Sequence, residues 1–272
     1  MVNSPLEWRT NGDYTTLVSP AVWADARVLG RIRQLGREGV WFCSVGHMEA
    51  DGRVTLHNVT VRYGRRVALE AVSGEFVSGS LTAVVGANGA GKSTLLAAIA
   101  GVVQLARGVV DCAARRRLAY LPQLTAIDRD YPLTVAELIA LGGWREFGAF
   151  RSPGTALRAR ATAAAETVGL ATRLGQPIAE ISVGELQRAL FARLLLQDAA
   201  VILLDEPFAA IDAQTVPVLL DQVMRWHREG RTVIAVMHDL DLVQARFPAT
   251  LVLERRCLAW GPTEVALPAM AA

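Results

Sequence analysis

The run Gly86-Ala87-Asn88-Gly89-Ala90-Gly91-Lys92-Ser93-Thr94 constrains this chain more than any other feature. It matches the pattern G-x-x-x-x-G-K-S/T, a phosphate-binding loop that works only between a strand and a helix. That context is present. Leu81–Val85 is a short apolar run that reads as a buried strand, and Lys92–Ala100 reads as an apolar helix. The glycines allow backbone shapes closed to other residues, successive N–H groups form an anion nest, and the helix start adds its positive dipole end. Lys92 is placed to reach terminal phosphates and the Ser93 hydroxyl to hold a divalent cation. Of the 28 basic residues, 27 are Arg and only position 92 is Lys. In an Arg-biased chain, a lone ammonium marks a site that needs a compact point charge.

A second motif supports the first. In the run Val201–Pro207, an apolar strand read at 200–204 delivers two carboxylates, Asp205 and Glu206, at its C-terminal end, where α/β sheets bind ligands. Asp205 is placed to hold Mg²⁺ through water, and Glu206 is the candidate base for an attacking water. Alternation over 54–61, and apolar runs at 117–121, 232–236 and 250–254, predict further strands. Helices are predicted at 135–141, 155–168, 183–197 and 214–229, with a Gly/Pro-broken turn at 142–154. Strands alternating with helices imply an α/β fold with a mostly parallel sheet. Residues 124–181 read as a helical insertion.

Composition excludes several classes. Net charge is +2, which gives no reason to expect a nucleic-acid partner. Cys43, Cys112 and Cys257 are far apart and odd in number, so neither a disulfide framework nor a zinc site is expected. No apolar run reaches the ~18 residues of a spanning helix.

In order along about 50–265, the sequence resembles the ABC ATPase family. Tyr63 stands where the family stacks an aromatic on adenine. Gln123, in Leu121-Pro122-Gln123, stands at the loop glutamine that contacts Mg²⁺ and joins the two subdomains. Ile181-Ser182-Val183-Gly184-Glu185 stands at the signature, usually Leu-Ser-Gly-Gly-Gln. Asp212 ends the loop after the second carboxylate, and His238 stands at the switch histidine. The resemblance implies a P-loop core with an antiparallel β subdomain and a helical insertion. It implies ATP and Mg²⁺ held by Gly86–Thr94, with Ser93, Gln123 and Asp205 around the metal and Lys92, Gln123, Glu206 and His238 acting in hydrolysis. A second copy closes head to tail, so that Ser182, Val183, Gly184 and Glu185 face the ATP of the opposite subunit. The implied partners are a transmembrane permease and, indirectly, an extracytoplasmic binding protein, with the chain on the cytoplasmic face of the membrane.

Two signature residues depart from the family. Val183 replaces a glycine and is strained if φ there is positive. Glu185 brings negative charge toward a phosphate. Ser182 and Glu185 also read as a helix capping box, and Asp212 as a helix N-cap. Tyr131–Gly142, Val201–Asp212 and His238–Val243 look like the ATPases of zinc, manganese and chelated-iron importers; siderophore or cobalamin import, and a non-transport ABC ATPase, are the alternatives. Residues 1–48 match nothing in the family and read as an extension, with a short helix at 20–36 and Met48 as the natural start. Residues 266–272 read as a tail.

Overall fold

In the computed structural model, residues 9–11, 14–16, 51–124, 127–148 and 153–270 are described. The chain divides into two units, Met1–Glu49 and Ala50–Ala272. In the first, β1 (Arg9–Asn11) pairs antiparallel with β2 (Tyr14–Thr16). The helix expected at 20–36 lies outside the described residues.

The second unit begins with the hairpin β3 (Val54–Tyr63) and β4 (Arg66–Phe76). Then come β5 (Leu81–Val85), helix α1 (Lys92–Ala100), β6 (Arg107–Cys112) and β7 (Leu118–Leu121). The helices α2 (Val135–Ala140), α3 (Trp144–Phe147), α4 (Thr155–Thr167) and α5 (Val183–Leu195) follow. The chain continues as β8 (Val201–Asp205), α6 (Val216–Arg228), β9 (Thr232–Val236), α7 (Leu240–Arg246), β10 (Ala249–Glu254), β11 (Arg256–Pro262) and α8 (Thr263–Ala266).

Six strands form the central sheet in the order β11-β10-β5-β9-β8-β7. All its pairings are parallel except β10–β11. A separate antiparallel sheet runs β4-β3-β6. The period-2 alternation of the buried strands assigns each face its own core. Val84, Leu203, Ile234 and Leu251 face α1 and the antiparallel sheet, burying Leu95, Leu96 and Ile99 against Val54, Val59 and Leu69. Ala83, Leu204, Ala235 and Val252 belong to the other core, which includes the helical insertion, α5 and α6. Both edges of the P-loop strand β5 are therefore paired, and every one of its side chains is buried. The loops at the C-terminal ends of β5 and β8 share one end of this sheet.

Several elements differ from the sequence expectations. β4, β6 and β11 were not predicted. Bulges interrupt the β3–β4 register and Ala71 has φ 51°, so apolar positions lose their strict alternation. β11 is an edge strand with little burial. Where a Gly/Pro-broken turn is expected at 142–154, the described residues include a 3-10 turn (Leu141–Gly143) and α3. The expected tail from 266 starts as structured chain, with α8 continuing into a 3-10 turn over Leu267–Met270.

Candidate ATP-hydrolysis site

The phosphate loop is built by close backbone approach. A Cβ at Gly86 would lie 2.1 Å from the Leu253 carbonyl, and one at Gly91 would lie 2.5 Å from that of Ala68. Both glycines also have positive φ, 152° and 97°. No side chain can replace them without moving the backbone of β10 or β4. Ala87, Asn88, Gly89 and Ala90 complete the curve, and Thr94 sits in the first turn of α1. The loop is braced from outside as well, because the Arg255 N–H donates to the Ala90 carbonyl at 2.7 Å.

Lys92 is only 6% exposed, and its Nζ donates to the Gly86 and Ala87 carbonyls at 2.8 and 3.0 Å. Burial lowers its pKa, opposed by the charges of Glu206 and Asp205. The Ser93 hydroxyl donates to Asp205 Oδ1 at 3.0 Å across 112 residues of sequence. Asp205 is buried, and burial pushes its carboxyl up to about 6, in spite of the Ser93 hydrogen bond. A carboxylate taken out of water this way is a strong partner for a cation. The hydroxyl and carboxylate oxygens together are the hard donors that Mg²⁺ prefers. The residues present thus fit a magnesium nucleotide.

Glu206 occupies a left-handed backbone position at φ 52°. A non-glycine residue there is unusual and is found where function requires a side chain to be aimed. Its Oε1 lies 2.7 Å from His238 Nε2, and Gln123 also hydrogen-bonds to its carboxyl group. Burial raises its pKa, but those hydrogen bonds and the charges of His238 and Lys92 win, leaving it below the usual value. Glu206 is therefore held ionised, as a group that polarises water must be. Tyr63, Ser93, Thr94, Tyr120, Gln123 and Asp205 line a cleft of about 190 Å³ beside the loop. A larger groove of about 510 Å³, beside Trp260 and Gly74, contains none of the predicted site residues. Phosphate sites of this kind are open backbone cradles rather than deep cavities, so volume does not locate them.

The signature residues form a second cluster. Ser182 is the N-cap of α5 and Val183 its first residue. The expectation of backbone strain at Val183 is corrected, since no positive φ occurs there and the side chain is 45% exposed. Glu185 has its own partners within this chain. Its carboxylate accepts from the Ser182 N–H at 2.8 Å and from Arg173 Nε at 3.0 Å, so its charge is spent on a capping box and an ion pair. Val183→Gly is expected to give no rise in the rate of hydrolysis, and to cost up to about 1 kcal/mol through added backbone freedom. Phosphate release and thermal melting check this; faster turnover would contradict it. Gly184, by contrast, is required by packing. A Cβ there would lie 2.5 Å from the Ala210 carbonyl. Gly184→Ala should therefore separate α5 from the loop at 209–212 and destabilise the fold by about 1–3 kcal/mol. Denaturant melts measure that, and an unchanged midpoint would show the loop yields freely.

Asp212 caps a turn, its carboxylate accepting from the Thr215 N–H and hydroxyl at 2.9 Å. The N-cap reading is corrected: the N-cap of α6 is Thr215, and Asp212 holds the turn that precedes it. Gln187 was missed at the sequence level. It is 1% exposed, and its Nε2 donates to the Glu206 and Pro207 carbonyls at 3.2 and 3.1 Å. It ties the signature helix directly to the backbone of the candidate base. The available signal was a polar residue on the buried face of an amphipathic helix, between Leu186 and Ala189.

A glycine cradle with a buried lysine, a Ser–Asp cation pair and an aimed Glu–His–Gln cluster, all at one end of a parallel sheet, define a P-loop ATPase. The chain belongs to the ABC transporter family, whose family model matches residues 69–209. It is an ATP-binding and ATP-hydrolysing cassette. It is 35% identical over 215 residues to the manganese transport system ATP-binding protein MntB of Listeria monocytogenes, covering 77% of this chain and 90% of that one. It is 38% identical over 214 residues to the zinc transport system ATP-binding protein TroB of Treponema pallidum, covering 76% and 80%. Its fold matches that of an ATP-binding cassette solved as a dimer with ADP and phosphate, at TM-score 0.69 and 23% identity over 77% of this chain and 98% of that one.

Proposed function

We propose that this chain powers import of a divalent metal ion, manganese or zinc, through a separate membrane permease. The observation that carries the reading is the pair of relatives named above, which match nearly the whole cassette. Among the described residues no helix is long and apolar enough to cross a membrane, so coupling needs a partner that spans it. The chain then works on the cytoplasmic face, and an extracytoplasmic binding protein presents the cargo.

In the proposed mechanism, Tyr63 stacks on adenine, and the N–H groups of the 86–94 loop with the Lys92 ammonium hold the phosphates. Ser93, Gln123 and Asp205 hold Mg²⁺, which supplies positive charge to the phosphate oxygens. Glu206 orients and polarises the attacking water, and His238 holds the Glu206 carboxylate in place through the 2.7 Å contact. Ser182, Val183, Gly184 and Glu185 of a second copy cover the same nucleotide from the other side, with Asp212 in the dimer contact. The α5 dipole points its positive end at the phosphate. Gln187 transmits any shift of α5 to the Glu206 backbone.

The permease docks beside Gln123 and residues 128–150. Trp144 and Leu141 are half-buried there, so charge substitutions at either would disturb packing; exposed Arg145 and Glu146 are the cleaner probes. The test is uptake. Cells lacking this chain but holding its permease should regain labelled zinc or manganese uptake when it is restored. Restored ATP hydrolysis without uptake of either metal would refute the cargo.

A further inference from the structure

The hairpin that carries Tyr63 also carries a charged residue with no assigned role. Tyr63 and Arg66 are direct cross-strand partners at the end of β3 and β4. Opposed residues of an antiparallel pair project from the same face. Tyr63 lines the nucleotide cleft, and Arg66 reaches the phosphate loop, its Nη2 lying 3.5 Å from the position of a Cβ on Gly89.

This placement is fixed by more than one flexible side chain. The backbone just beyond Arg66 is pressed against the loop, since a Cβ on Gly91 would meet the Ala68 carbonyl at 2.5 Å and Leu69 Cδ2 at 2.8 Å. The Glu70 N–H donates to the Arg255 carbonyl, and the Arg255 N–H donates to Ala90, both at 2.7 Å. β4 and the loop therefore form one braced unit. Among the described residues no hydrogen bond or ion pair engages the Arg66 guanidinium. Of the two carboxylates on its own strand, Glu70 is already held by both Nε and Nη2 of Arg256 at 3.0 and 2.7 Å, and Glu75 pairs with Arg53 at 3.6 Å. An uncompensated guanidinium thus lies beside the middle glycine of an anion nest. Its planar fork suits two phosphate oxygens at once.

We propose that Arg66 is a nucleotide-binding residue that closes over the polyphosphate from outside, while Tyr63 holds the base. The proposal rests on the 86–94 loop being the phosphate cradle. The hairpin then reads both ends of the nucleotide, and its two-residue turn at Gly64 and Arg65 sets the spacing.

The test is calorimetry on the full chain with MgATP, ADP and adenosine. Arg66→Ala should weaken ATP and ADP about tenfold, the scale of one charge-assisted contact. Adenosine affinity and the nucleotide-free melting temperature should stay unchanged. The salt dependence of ATP binding should shrink, and Arg66→Lys should recover part of the loss. The neighbouring Arg65→Ala should bind ATP as wild type does. ATP affinity for Arg66→Ala within about twofold of wild type would overturn the proposal. So would an equal loss for adenosine, or a fall in melting temperature that accounts for the weaker binding. Lys92→Ala serves as the separate check on the cradle itself: if it binds ATP like wild type, the cradle reading falls and the proposal with it.

Discussion

Glu206→Gln is expected to reduce ATP turnover of the assembled transporter by about 10²–10⁴-fold, the range for loss of a general base. Nucleotide binding should survive, because Glu206 is not part of the cradle formed by 86–94. The amide keeps the shape of the side chain, and it can still meet His238 and Gln123, which both hydrogen-bond to the carboxylate. What it loses is the negative charge that these groups and Lys92 hold ionised. With hydrolysis stalled, the closed state should accumulate, so gel filtration with MgATP should show a dimer that wild type shows only briefly. His238→Ala should follow the same direction less steeply, by freeing the carboxylate to turn. A Glu206→Gln protein that releases phosphate at the wild-type rate would remove Glu206 from the chemistry.

Lys92→Ala is expected to act one step earlier, on binding. The ammonium makes two charge-assisted contacts to the Gly86 and Ala87 carbonyls within the loop. At about 1.5–3 kcal/mol for a hydrogen bond involving a charged group, its loss should weaken MgATP by roughly 10–150-fold. Lys92→Arg should fail to restore binding. The site is 6% exposed and shaped for a point charge, and a guanidinium fork would have to displace the loop. Isothermal titration with ATP separates the cases. Wild-type affinity in the Arg variant would mean that charge alone, not its compactness, is what position 92 supplies.

The elements legible in the sequence are those whose signals are local. Lys92–Ala100 and Thr232–Val236 match their predicted bounds, because an apolar run with a loop on either side needs no partner to declare itself. The capping box at Ser182 and Glu185 was equally visible, four residues sufficing to define it. Gly142 shows where such reading fails. In sequence it reads as a breaker, yet a Cβ there would lie 2.1 Å from the Arg193 carbonyl, so the residue is small because α5 crosses beside it. A glycine that turns the chain and a glycine that admits a neighbour look the same in one dimension.

The same division runs through the site. Sequence alone determined the phosphate loop, its lysine, the two carboxylates at a strand end and their order along the chain, since each is a spacing between near neighbours. Tertiary structure decided what these residues do to one another. Glu206 and His238 are 32 positions apart, and only the parallel pairing of β8 with β9 places their loops side by side. The raised pKa of Asp205 comes from burial, which has no local signature. The Glu185 carboxylate meets Arg173, 12 positions away, and Val183 has no positive φ. Arg66 gained a neighbour at Gly89 through a hairpin whose bulged second strand the sequence did not announce. Spacing along the chain fixes which groups are available, but their charge, strain and reach follow from distances that close only when strands far apart in sequence pair in space.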